Sequence, residues 1–175
     1  EAIDLKALSE KTADIMGLEV ITGSVPETVK KEIMLLVLSP GVPVDTPFVE
    51  EYRERKIPVW GEIELAYTFA KGKIAAITGT NGKTTTTTLV GQIMKAYYDS
   101  VFVVGNIGNP VTLESLKTVP ESVTVAEVSS FQLETTEKFA PKISAILNIT
   151  PDHLDRHHTM ENYTATKERI AGNQT

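Results

Sequence analysis

The sequence predicts an α/β fold built on parallel sheets, and three observations carry that reading. Short apolar runs alternate with amphipathic stretches along the 175 residues. Several runs, Ile74–Ile77 and Val101–Val104 among them, are apolar throughout, as suits strands covered on both faces. Run after run then empties into Gly, Asn, Ser or Asp, at the carboxyl end where open parallel sheets gather ligands.

Taken in order, residues 2–16 set Ile3, Leu5, Leu8, Ile15 and Met16 roughly on one helical face, with Gly17 as the stop. Leu18–Ile21 reads as a short strand and Gly23-Ser24-Val25-Pro26 as a turn. Ile33–Leu38 is uniformly apolar, which predicts a strand covered on both faces. It runs into Ser39-Pro40-Gly41-Val42-Pro43, a loop that either turns the chain or meets a ligand. Thr46-Pro47 has the cap and first-turn proline of a helix that continues to about Lys56. Ile57–Trp60 reads as a strand, and Glu62–Lys71 as a helix stopped by Gly72. A domain boundary is expected near Lys71-Gly72, dividing 1–71 from 72–175.

The second part opens on Ile74-Ala75-Ala76-Ile77 followed by Gly79-Thr80-Asn81-Gly82-Lys83-Thr84-Thr85 and a helical stretch. Strand, glycine loop and helix in that order make a phosphate cradle, because loop amides and the helix start present positive charge together. Lys83 can reach outer phosphates, and the Thr84 hydroxyl can bind Mg²⁺. The common pattern has a glycine where Ile77 stands, so this is a shorter variant. The Thr84–Thr88 run, a mediocre helix former, suggests that its first hydroxyls matter.

Three more apolar runs end in polar groups. Val101–Val104 leads to Gly105-Asn106-Ile107-Gly108, Val123–Ala126 to Glu127-Val128-Ser129-Ser130, and Ile143–Leu147 to Asn148-Ile149-Thr150-Pro151-Asp152-His153. A parallel sheet would bring all of these to one rim. Glu127 suits a Mg²⁺ held against phosphates. His153, flanked by Asp152 and Asp155, is a candidate metal ligand with a carboxylate behind it. His157 and His158 lack that setting and are expected to be exposed. Asn106 can donate to a ligand oxygen or simply tolerate a left-handed backbone. Glu161–Ala171 reads as a helix, and on composition Lys167 is an ordinary surface cation.

The formal net charge is −6 with no dense Lys/Arg run, which argues against nucleic acid as a partner. There is no cysteine for disulfides or thiolate metal sites. No apolar stretch reaches the ~20 residues of a membrane helix, and no secretion signal opens the chain, so a cytoplasmic location is expected. The first residue is Glu1 rather than Met, and the chain stops just after a helical pattern, so it reads as a piece of something longer.

The ordered set Gly79–Thr85, Gly105–Gly108, Glu127–Glu134 (EVSSFQLE), Asn148–Arg156 (NITPDHLDR) and Tyr163-x-x-x-Lys167 resembles the Mur ligases. The glycine loop and the His segment are shared with the wider family that includes folylpolyglutamate synthase. SSFQLE together with GNIG resembles the member that adds D-glutamate, and Ser39-Pro40-Gly41 resembles its uridine-nucleotide loop. The resemblance implies a partial Rossmann-like UDP-substrate domain over 1–71 and the first part of a P-loop-type ATP-binding domain over 72–175. It implies that Gly79, Thr80, Asn81, Gly82, Lys83, Thr84 and Thr85 hold ATP. Thr84 and Glu127 would bind one Mg²⁺; His153 and Lys167, the latter carrying a carbamate, would bind a second. Lys83, His153 and Lys167 would be catalytic. Ser39, Pro40, Gly41, Asn106, Ser129 and Gln132 would line the substrate cleft. The partners implied are ATP, D-glutamate and UDP-N-acetylmuramoyl-L-alanine, joined through an acyl phosphate by a monomeric enzyme, with this piece inactive alone. The alternatives are another ligase of the family or a nucleotide-binding module without turnover.

Overall fold

The computed structural model of the chain describes Ile21, residues 23–106 and residues 109–174. The chain divides into two compact units, Glu1–Met34 and Leu35–Thr175. In the first unit the described part centres on helix α1 (Glu27–Glu32), with Glu27 in its first turn and Lys30 and Lys31 in its last, the order that the helix dipole favours. The helix expected over 2–16 lies outside the described residues. So does the strand expected over Leu18–Ile21 except for Ile21, which is not in a strand.

The second unit holds two parallel sheets. In the small one, β1 (Leu36–Leu38) pairs with β2 (Val59–Gly61) across the helix α2 (Pro47–Glu54). Thr46 caps α2, accepting the Val49 N–H at 3.4 Å, with Pro47 in the first turn, as the sequence predicts. The expected strand over Ile33–Leu38 shrinks to three residues. Val37 is 40% exposed, and among the described residues β1 has β2 as its one sheet neighbour. Helix α3 (Glu62–Phe69) follows β2 directly and ends before Gly72, since Ala70 is already extended. Its Glu64 is buried and accepts the N–H groups of Glu137, Lys138 and Phe139 at 2.8–3.1 Å, pinning α3 to that turn.

The large sheet orders its strands β4 (Val101–Gly105), β5 (Val123–Glu127), β3 (Lys73–Thr78) and β6 (Ile143–Ile146), all parallel. The chain leaves β3 through α4 (Lys83–Lys95), builds β4 and then β5 on one side, and crosses to β6 on the other. The carboxyl end of β3 is therefore the point where the winding reverses, the position at which such sheets bind ligands. The register puts Gly105, Glu127, Ile77 and Ala145 on one rung, so the four strand ends are level. The expected boundary near Lys71-Gly72 falls inside the second unit, between its two sheets.

Helix α4 lies on one face of the large sheet over Ile77, Val123 and Val125. It can lie close because it carries Gly91 there; a Cβ at that position would sit 2.3 Å from Val103 Cγ2. The other face packs against Ile63 of α3, Leu133 of α6 (Ser130–Leu133), Phe139, and Ile170 in the 3₁₀ turn Arg169–Ala171. Strand β5 is buried along its whole length, whereas β6, with β3 as its one neighbour among the described residues, leaves Ile143 exposed. The remaining helices are α5 (Val111–Ser115), α7 (Leu154–His157) and α8 (Met160–Glu168). No helix among the described residues is long and apolar enough to cross a membrane.

Candidate functional site

Strand β3 ends at Thr78, and the next four residues turn the chain into α4. Gly82 occupies the cap in a left-handed conformation, φ +82°, which glycine adopts without steric cost. No side chain caps α4, and its first internal bond runs from the Thr86 N–H to Gly82 O. The amides of Lys83, Thr84 and Thr85 are thus turned to the loop side of the helix, where the dipole favours an anion.

The loop is fixed from two other segments. At the end of β6, Asn148 clasps Asn81 with its side-chain amide, accepting the Asn81 N–H at 2.9 Å and donating to Asn81 O at 3.0 Å. Its own carbonyl accepts the Thr80 N–H. The Thr80 hydroxyl donates to Thr150 O, accepts the Thr150 N–H, and meets the Tyr163 hydroxyl of α8 at 3.1 Å. These bonds involve backbone and uncharged groups, so they hold the loop without cancelling its positive character.

Two lysines converge on that loop. Lys83 Nζ donates to Gly79 O and Thr80 O at 3.0 and 2.9 Å. Lys167, expected at the surface, is 1% exposed; its Nζ donates to the same Gly79 carbonyl at 2.9 Å and lies 4.7 Å over the Tyr163 ring. Helix α8 carries it inward because Tyr163, one turn earlier, is buried on the same face. Burial, and then the charge of Lys83, bring the Lys167 amine down to about 8, against a smaller opposing pull from Asp152. About a tenth of such an amine is neutral at pH 7, against less than a thousandth for an ordinary lysine.

At the neighbouring strand end Glu127 is 2% exposed. The Thr84 hydroxyl donates to its Oε2 at 2.9 Å, and Asn106 Nδ2 donates to its Oε1 at 3.4 Å. The Asn106 N–H also donates to Glu127 O, so its bonds tie Asn106 to the end of β5; Ile107 and Gly108 lie outside the described residues. A hydroxyl and a carboxylate side by side are a hard-oxygen donor pair of the kind Mg²⁺ takes together with phosphate oxygens. Among the described residues no group of three or more His, Asp or Glu gathers, so any cation here depends on ligand oxygens as well.

His153 takes the cap position of α7 with φ +50°. Its side chain is half exposed, with Nε2 3.5 Å from Asp152 Oδ2 and its ring 4.9 Å from that of Phe131. Asp152 is thus the carboxylate beside it, while Asp155 is exposed. Ser129 and Gln132 are engaged with each other as the capping box of α6: Gln132 Oε1 accepts from Ser129 N and Oγ, and Ser129 Oγ accepts the Gln132 N–H. Gln132 and the loop residues Ser39 and Pro40 line one small pocket, and Gly41 beside them is exposed.

As with Lys167, the expectation for His157 is overturned. His157 is 5% exposed rather than free: Nε2 lies 3.0 Å from Ser130 Oγ, and Nδ1 3.6 Å from Glu134 Oε1. Burial, only partly opposed by Glu134, lowers its pKa from the ordinary 6.5. His158 is exposed, as expected. The sequence reading also passed over Asn148 and the Tyr163 hydroxyl. Asn148 had a signal, since it stands at a strand end like Glu127.

A family description, the Mur ligase middle domain, matches residues 77–175. The chain is 62% identical over its whole length to the UDP-N-acetylmuramoylalanine–D-glutamate ligase of Lachnospira eligens, covering 39% of that protein. It is 60% identical to the ligase of the same name from Lachnoclostridium phytofermentans, covering 38% of it. The chain therefore spans about two fifths of the length of these curated relatives. Among solved structures, a MurF ligase from Thermotoga maritima in complex with ADP superposes with a TM-score of 0.50 at 19% identity, over 83% of this chain and 42% of that one, which shows a shared fold.

Proposed function

Because this chain belongs to the Mur ligase family, we propose that it is the phosphate-handling part of an ATP-dependent ligase that joins D-glutamate to UDP-N-acetylmuramoyl-L-alanine in peptidoglycan precursor synthesis. Residues 1–71 belong to the UDP-substrate domain and 72–175 to the ATP domain of a cytoplasmic, monomeric enzyme. The observation that carries this reading is the shared rim: Lys83 and Lys167 meet on one carbonyl while Thr84 joins Glu127 on the adjacent strand.

The reaction places a carboxylate against a triphosphate, two anions that repel. The loop amides and Lys83 offset that repulsion by holding the phosphates at the helix start. The substrate carboxylate attacks the γ-phosphorus, the bond to the β,γ-bridging oxygen breaks, and ADP leaves an acyl phosphate. The D-glutamate amine then attacks the acyl carbon and phosphate departs, with the amine proton going to solvent or a nearby base. Asn106, Ser129, Gln132 and the loop Ser39-Pro40-Gly41 orient the muramoyl substrate. Mg²⁺, when bound, supplies further charge neutralisation; Thr84 and Glu127 suit one ion. The lowered amine of Lys167 suits carbamate formation with CO₂, which would give it, with His153, a donor set for a second.

The test uses the full-length protein. Phosphate release requiring ATP, UDP-N-acetylmuramoyl-L-alanine and D-glutamate together is expected. Release with another amino acid in place of D-glutamate, or none with any, contradicts the reading.

A further inference from the structure

We propose that Arg156 is a positioning residue, latching the Ser39–Val44 loop to the His153 turn and to the Ser129–Glu134 segment so that substrate loop and phosphate rim keep one register. The identity of what the loop binds rests on the ligase reading above; the latch itself rests on contacts.

The guanidinium reaches two segments that lie far from each other and from its own turn in sequence. Nε and Nη2 donate to the two carboxylate oxygens of Glu134 at 3.1 and 2.6 Å, a bidentate fork. Nη2 also donates to the carbonyl of Val42 at 2.9 Å, just beyond Ser39-Pro40-Gly41. The plane lies 5.0 Å from the centroid of Phe131, whose ring neighbours that of His153. Arg156 and Glu134 side chains are 13% and 9% exposed, so water does little to screen the pair. On its own element, the Arg156 and His157 N–H groups both bond to His153 O, which makes the arginine and the cap histidine one rigid turn.

Only arginine fits this place. A fork is needed for the carboxylate, a further donor direction for the Val42 carbonyl, and a flat face for the phenyl ring. Lysine keeps the charge but loses the simultaneous grip. A plain buried ion pair would need none of this convergence; Glu134 alone would satisfy it.

The test compares Arg156→Lys, Glu134→Gln and the double variant in the full-length protein, by amide hydrogen exchange and by kinetics. The latch predicts faster exchange in 39–44 and 150–158 together, with the phosphate loop 79–85 unchanged. It predicts a KM for the uridine-nucleotide substrate raised about tenfold with the KM for ATP nearly unmoved, and a double variant little worse than either single one. Unchanged exchange at 39–44 in both single variants overturns the latch, as does an equal rise in both KM values. If the wild type turns over none of the three substrates, the ligase reading falls, and the exchange pattern still decides the latch.

Discussion

The phosphate rim and the His153–His158 segment differ in what holds their side chains. At the rim, Glu127 ends a strand whose register with β3 is set over five residue pairs, and Lys83 and Thr84 open the helix that follows β3 after a four-residue turn. A side chain at such an end has one place to go. The His segment is a four-residue helix between two non-glycine residues of positive φ, His153 at +50° and His158 at +66°. There each successive residue points a new way, so His153 is half exposed, His157 buried and His158 exposed within six positions. The rim is held by strand register; the segment is held by the bonds of its own short turn and by side-chain contacts such as Arg156 with Glu134.

The largest effect should come from the rim. Lys83→Ala in the full-length protein is expected to weaken ATP binding by about 2–3 kcal/mol, the range for a charge-assisted bond in a partly buried site. Calorimetry that finds ATP affinity unaltered removes Lys83 from the site. Next comes the clasp that joins rim to β6. Asn148→Ala removes two bonds to Asn81 and should cost about 1–3 kcal/mol of stability, read as a lower melting temperature together with weaker ATP binding. A loss of stability with ATP binding intact would mean the clasp does not shape the loop.

The His segment gives smaller and pH-dependent effects. The folded pKa of His157 lies below 6.5, so on acidification the unfolded chain takes up the proton first. Its contribution to stability is complete above pH 6.5 and is lost as the pH falls from there toward the lowered value. Melting curves between pH 7 and 5 should show a steeper fall for the wild type than for His157→Gln; equal slopes would place the titration elsewhere. His158→Ala, at the exposed end of the same segment, should change stability by less than about 0.5 kcal/mol.

The same contrast explains what the sequence made legible. Alternating runs and strand-end polar residues were enough for a parallel α/β fold and for bringing Glu127 beside Thr84, because sheet register converts sequence position into spatial position. The reach of Ile33–Leu38 was overread, since apolarity does not say how many neighbours a strand will have. Lys167 was overlooked as a buried group because a polar residue one turn from a buried aromatic carries no periodic mark of its own, and His157 because a four-residue helix is too short to show a period. The Arg156 contacts join positions 114 residues apart, a distance at which no local pattern speaks.

Residues far apart in sequence meet around one nucleotide on this reading of the rim. Paramagnetic broadening of backbone amide signals by Mn²⁺-ATP in the full-length protein tests it most directly. The strongest broadening is expected at 79–85, Asn106 and Glu127, with Val101 and Val123 at the opposite end of their strands much less affected. Broadening centred anywhere away from the carboxyl ends of β3 and β5 would contradict it.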